Sequence, residues 1–233
     1  MVKGEKERDK NKLAKSLFSK LAENYDKISK IVTKGRDTHW RNKVVYELSR
    51  LRSGKVLDIG TGTGEIPLML HKKNRKLDII GIDISKEMIN IAKAKAKNTR
   101  KIKYMEGRAG HLDFEDNTFD AVVSAFSLGN FENIGDVISE AHRVLKENGK
   151  LVLLDINKRS NSIPKQLSNL YHVFSVAPVM DMRTKEELYA YVKKGMFDVD
   201  RHVVEGIVKN ANFRNVKVKQ ITLGTAFILT AVK

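Results

Sequence analysis

Apolar positions along the chain follow two regimes that meet near residue 53. Before that point Leu13, Leu17 and Leu21, then Ile28, Ile31 and Val32, recur at three- and four-residue spacing. That is the period of helices with one buried face. Asp37-Thr38 precede His39-Trp40, and Val44, Val45 and Leu48 continue as another stripe, so a further helix is predicted with Thr38 as its N-cap. From Lys55 the pattern changes to short apolar runs alternating with helical ones. Val56–Ile59, Asp78–Ile84, Ile102–Glu106, Asp120–Ser124 and Lys150–Ile156 read as strands. Gly64–His71, Ser85–Lys97 with Ser85 as its cap, and Ile134–Leu145 read as helices, the last ending near Asn148-Gly149. Alternation of this kind builds a mostly parallel sheet covered on both faces. Consecutive apolar positions, as in Ala121-Val122-Val123, fit strands buried on both sides.

Residues 157–200 are more polar, carry Pro164 and Pro178, and cluster Tyr171, Phe174, Tyr189, Tyr191 and Phe197. Arg201–Asn210 is predicted helical. Val216–Thr222 and Thr225–Val232 form a hairpin around Leu223-Gly224. No apolar run approaches the roughly 20 residues of a membrane-spanning helix. The first residues are charged, so no secretory signal is expected.

Composition narrows the function classes. With 233 residues and 41% hydrophobic positions, one substantial domain with appendages, or two small ones, with a buried core is expected. The absence of cysteine excludes disulfides, thiolate metal sites and cysteine nucleophiles, and a cytoplasmic location is the default. Lys and Arg number 44 against 28 Asp and Glu, a net charge of +16. Such an excess attracts nucleic acid or an anionic membrane surface, including peripheral contact with the inner leaflet. The basic residues are dispersed, however, so diffuse charge on solvated faces is expected and no specific nucleic-acid partner. High charge and only two glutamines, Gln166 and Gln220, are also the usage of thermophilic chains.

The strongest chemical signal is Val56-Leu57-Asp58-Ile59-Gly60-Thr61-Gly62-Thr63-Gly64-Glu65. A buried strand runs into alternate glycines and then a helix, a turn that lets a ligand approach the main chain. Asp83, at the end of the next strand, can accept hydrogen bonds from both hydroxyls of an unmodified ribose. The spacing is Gly-x-Gly-x-Gly, not that of the dinucleotide fingerprint. Asp58 and Glu65 would repel a pyrophosphate and suit a cationic ligand, for which S-adenosylmethionine qualifies.

The motif order resembles the class I S-adenosylmethionine-dependent methyltransferases, and more narrowly the ubiquinone/menaquinone biosynthesis C-methyltransferases. The resemblance runs from Leu17-Phe18-Ser19-Lys20-Leu21-Ala22-Glu23-Asn24-Tyr25-Asp26 and the Trp40 helix through the glycine turn and Gly81-Ile82-Asp83-Ile84-Ser85. It continues in Phe114–Asp120, Ala125-Phe126-Ser127-Leu128-Gly129-Asn130 and Arg143–Leu151. It implies an α/β Rossmann-like fold with a seven-stranded, mostly parallel sheet whose last strand is reversed. It implies a single domain: an N-terminal helical lid (1–52), a cofactor-binding core (53–156), a substrate-covering insert (157–200) and a C-terminal helix and hairpin (201–233). The cofactor contacts it implies are the turn itself (Asp58, Gly60, Thr61, Gly62, Thr63, Gly64), Asp83 and Ile84, and Arg108, Ala109 and Gly110 beside the adenine. A further family contact falls on Ala125, which brings no hydroxyl.

The implied reaction is methylation of an aromatic small molecule such as a lipophilic quinol. A phenol titrates near 10, so a base is useful at neutral pH. His111 and His172 are candidates, with Asn130 beside them; His142 reads as a surface residue. Tyr25 and Asp26 are either lid or an ordinary helix terminus. Phe126, Tyr171 and Phe174 are either acceptor pocket or core. The family's Gly-Leu-Arg-Asn reads Ser127-Leu128-Gly129-Asn130 here, which leaves oxygen or nitrogen methylation of another metabolite open, and RNA methylation behind it. A homodimer also stays open.

Overall fold

A computed structural model describes residues 16–157, 184, 186–187 and 199–233. His172, Tyr171, Phe174 and nearly all of the aromatic insert lie outside the described residues. Residues 16–21 are helical, followed by one 3₁₀ turn (Ala22–Asn24) and helix α1 (Tyr25–Val32). Helix α2 (Arg36–Glu47) carries Trp40. Thr38 does not cap it. The N-cap is Gly35 at φ 73°, whose N–H also closes the end of α1 on Lys30 O at 2.7 Å. Lys34 and Gly35 are both left-handed, so no extended residue is left at the cap to offer a hydroxyl. Thr33 Oγ1 instead receives the Asp37 N–H at 3.3 Å.

The core alternates as the sequence pattern predicts: β1 (Gly54–Ile59), α3 (Glu65–Lys73), β2 (Leu77–Asp83), α4 (Lys86–Lys95), β3 (Ile102–Glu106), β4 (Phe119–Ala125), α5 (Ile134–Val144) and β5 (Leu145–Ile156). Then come α6 (Arg201–Asn210), β6 (Arg214–Ile221) and β7 (Ala226–Val232). Ser85 caps α4, its hydroxyl accepting from the Met88 N–H. Strand β5 starts earlier than the Asn148-Gly149 signal suggests. Leu145 pairs with Phe119, and Asn148, at φ 62°, is absorbed inside the strand by a register shift against β4. Asparagine tolerates that conformation, so the turn signal marks a bulge.

The sheet has seven strands in the order β3-β2-β1-β4-β5-β7-β6. Strand β7 runs antiparallel to both its neighbours, while β1 to β5 pair in parallel. Trp40 and Val44 of α2, Leu70 of α3 and Ile89 of α4 cover one face, against Val56, Ile79, Val123 and Val152. Ile138 and Ala141 of α5 and Val204 and Val208 of α6 cover the other, against Leu57, Val122, Leu151 and Leu229. Trp40 is 2% exposed, and its Nε1–H donates to Thr222 Oγ1 at 2.7 Å, tying α2 to the turn between β6 and β7. Strand order reverses between β1 and β4, and a crevice opens there at the carboxyl ends of the strands. No helix among the described residues is long and apolar enough to cross a membrane.

Candidate active site

The turn after β1 is built from three glycines at φ 72°, 53° and 83°. The N–H groups of Gly60 and Thr61 both donate to Ile82 O at 2.9 Å, which pins the turn to the end of β2. A Cβ on Gly60 would stand 2.4 Å from Ser127 Oγ, and one on Gly64 would stand 2.4 Å from Tyr104 OH. Those two positions are glycine because the protein itself fills the space. A Cβ on Gly62 would meet nothing within 4 Å, since its α-carbon faces open space.

Three carboxylates end the central strands. Asp83 accepts from the Gly62 N–H at 2.8 Å on Oδ2 and from the Ser85 N–H at 3.0 Å on Oδ1. Burial raises its pKa, against the pull of the Ser85, Gly62 and Ile84 amides. Asp58 is 1% exposed; its Oδ2 accepts from Thr61 Oγ1 at 2.6 Å, and its Oδ1 has no hydrogen-bond partner among the described residues. Burial pushes Asp58 up to about 7, with the Thr61 hydroxyl opposing. Asp155, at the end of β5, accepts from the N–H groups of Ile156 (2.7 Å) and Leu128 (3.0 Å) and is also held by the Gly129 amide. Burial raises it to about 7 against those amides. It clamps the 3₁₀ turn Leu128–Asn130 onto the sheet, and the Gly129 amide contributes to that clamp. Sequence reasoning missed Asp155, although a lone carboxylate after the apolar run Leu151–Leu154 is a legible signal.

The crevice holds a cavity of about 330 Å³, within the range of small-molecule sites. Asp58, Gly60, Thr61, Gly62, Thr63, Asp83, Ile84, Arg108, Ala109, Gly110 and Ala125 all line it. So do His111, Asn130, Tyr25 and Phe126. Gly64 does not; it lies under Tyr104, whose hydroxyl donates to Gly64 O at 3.2 Å. His142 packs its ring edge-on against Phe213, with centroids 5.0 Å apart, and takes no part in the cavity wall. Arg108 pairs with Glu132 at 2.8 Å, joining the loop after β3 to the loop before α5.

The N-terminal segment closes one side. Phe18 and Tyr25 line the cavity with their rings edge to face at 5.9 Å. Tyr25 is held neutral to higher pH by burial, with Arg41 opposing. Asp26 Oδ1 accepts from Thr63 Oγ1 at 2.6 Å, and Lys95 bridges Asp26 and Glu65, the latter at 2.7 Å. The hydroxyl of Thr63 and the charge of Glu65 are therefore engaged by protein partners. Arg41, also missed in the sequence, lines the cavity at 7% exposure. It pairs with Asp37, which is 3% exposed, and its Cζ stands 5.0 Å from the Phe126 ring centroid. Asp37, Arg41, Val44 and Leu48 share one helix face, so the spacing carried a signal that its charge disguised.

A family model for the ubiE/COQ5 methyltransferase family matches residues 5–233. A demethylmenaquinone methyltransferase from Staphylococcus carnosus is 31% identical over 231 residues, covering 97% of this chain and 94% of that protein. Another from Bacteroides fragilis is 28% identical over 229 residues, covering 96% and 94%. The crystal structure of an S-adenosylmethionine-dependent methyltransferase from Aquifex aeolicus aligns with a TM-score of 0.60 at 22% identity, over 82% of this chain and 88% of that one, a likeness of fold.

Proposed function

The chain belongs to the ubiE/COQ5 methyltransferase family, and from that premise we propose that it methylates a ring carbon of a demethylmenaquinol-like quinol with S-adenosylmethionine as donor. The observation that carries the reading is the family match over nearly the whole chain, converging on one crevice at the β1/β4 switch point.

The described wall fits the donor on two observations. Asp58 Oδ1 is buried and has no partner among the described residues, which suits an incoming ammonium. Gly62 leaves open space where a side chain would stand, beside an Asp83 carboxylate that backbone amides hold in place for ribose hydroxyls. The described residues of the wall offer no cluster of cations for a pyrophosphate. When bound, the donor supplies an electrophilic methyl group on a positively charged sulfur.

The chain's own task is positioning, which contributes at best roughly 7–11 kcal/mol to such a displacement. Asp83 and the amides of the loop after β3 hold the nucleoside. Tyr25 and Phe18 close the crevice and exclude water. Phe126 and Asn130 face the acceptor, with Asn130 held by the 3₁₀ turn that Asp155 clamps. His111 is the described residue that takes the phenolic proton. Relatives named demethylmenaquinone methyltransferase, and one named as a ubiquinone/menaquinone biosynthesis C-methyltransferase, do not favour the oxygen or nitrogen reading that Gly129 opened.

The test is incubation of the purified protein with methyl-labelled S-adenosylmethionine and chemically reduced demethylmenaquinone. Label is expected in menaquinone, on the ring carbon. No labelled quinone at stoichiometric enzyme would sink the acceptor assignment.

A further inference from the structure

Arg41 is the buried cation of the cavity wall to which methyl transfer itself gives no role. A guanidinium presents five N–H donors in a planar fork. Nη1 donates to Asp37 Oδ2, and among the described residues no acceptor meets the other donors. Asp37 is itself held from its own side, where Thr33 Oγ1 donates to Oδ1 at 3.1 Å. The Phe126 ring lies against the guanidinium, with the centroid 5.0 Å from Cζ. The other Lys or Arg of the described wall, Arg108, has a side chain 65% exposed and is paired with Glu132.

Strand order assigns positions to the parts of a bound nucleoside. With Asp83 after β2 and Arg108-Ala109-Gly110 after β3, the sugar and base lie over that half of the sheet. A substituent on the sugar then runs towards β1 and β4. Asp58 lies in β1 near its carboxyl end, Phe126 follows β4, and Arg41 stands over Phe126. That end of the cavity therefore holds one buried anion, with an oxygen that has no partner among the described residues, and one buried cation that lines the cavity. S-adenosylmethionine ends in an ammonium and a carboxylate on one carbon, which is the complementary pair. We propose that Arg41 holds the donor's carboxylate opposite Asp58, so that α2 reads the amino-acid end of the donor. The proposal rests on S-adenosylmethionine being the donor. It adds a reason for a charged residue on the buried face of α2: without Arg41, a carboxylate would enter a wall lined by the acidic Asp58, which is buried, and Asp83.

The experiment measures binding by calorimetry for S-adenosylmethionine, its decarboxylated analogue and 5′-methylthioadenosine. Wild-type protein is expected to bind the carboxylated donor roughly 10- to 100-fold more tightly than the decarboxylated one, the range for charge-assisted fork pairing. In Arg41→Gln, and in the double variant Arg41→Gln with Asp37→Asn that does not strand the Asp37 carboxylate, the two donors should bind alike. Methylthioadenosine should bind these variants as it binds wild type. Arg41→Lys keeps a charge against Asp37 but cannot fork; it is expected to fold and to retain only part of the preference. An undiminished preference in a folded Gln or Lys variant overturns the proposal. So does a wild type that binds both donors equally, a result that leaves the donor reading standing. Wild type binding none of the three nucleosides would instead remove the donor reading, and this proposal with it.

Discussion

Gly60, Gly62 and Gly64 share a left-handed backbone yet differ in what surrounds them, and the difference is measurable. Alanine at Gly60 or Gly64 forces a methyl group against Ser127 or Tyr104. Overpacking plus backbone strain should lower unfolding free energy by about 2–4 kcal/mol in urea titrations. Alanine at Gly62 meets no protein atom and should cost only the conformational penalty, about 1–2 kcal/mol. Its larger effect should be on donor affinity, because the methyl group occupies the cavity. Comparable stability loss at all three positions would contradict this division. Asp58 supports a second prediction. Its carboxyl titrates near 7, and a cationic partner favours the ionised form, so binding releases a proton at pH 6. Donor affinity should rise between pH 6 and pH 8 in calorimetry, and Asp58→Asn should flatten that rise.

At the scale of elements, side chains fasten α1 to the glycine turn. Asp26 holds Thr63 and Lys95, and Lys95 also holds Glu65. These ion pairs are partly exposed, so each contributes under about 1 kcal/mol to global stability. Lys95→Met should leave the unfolding midpoint nearly unchanged. It should speed amide exchange in residues 25–32 and raise the donor's dissociation rate; an unchanged exchange pattern would show that the pairs do not fasten the segment. Much of this level was legible in the sequence. Helix Arg201–Asn210 and strand Ile102–Glu106 have the bounds that periodicity predicts, and Ser85 caps as expected. Two kinds of feature were not. Asn148-Gly149 reads as a stop, but strand pairing on both sides absorbed it as a bulge, because tertiary hydrogen bonds outweigh a local turn preference. Arg41 and Asp155 drew no attention, because isolated charges usually face solvent. Their burial depends on partners, Asp37 for one and the Leu128, Gly129 and Ile156 amides for the other, which sequence spacing showed only for the first.

For the whole molecule, the buried acids set how stability varies with pH. Asp58 and Asp155 rise from 3.8 to about 7 in the folded state, so folded protein binds their protons more tightly than unfolded chain does. Their contribution is fully present below about pH 4 and is lost as pH rises towards 7. The urea midpoint should fall between pH 4.5 and pH 7.5, and the fall should shrink in Asp155→Asn. A midpoint that rose over this range would contradict the burial of these groups. The net charge of +16 adds self-repulsion at every pH in that window, and salt should relieve it.

The wedging of β7 between β5 and β6 also governs when the sheet can be finished. β6 has no strand to join until its one neighbour, which follows it in the chain, is in place, and until then β5 keeps a bare edge. Residues 54–157 can assemble their parallel half while the ribosome is still at work. The hairpin must then enter as a unit, its second strand leading into the gap. A nascent chain stalled before residue 226 is therefore a half-built sheet with two sticky margins, the stage at which a chaperone has most to protect.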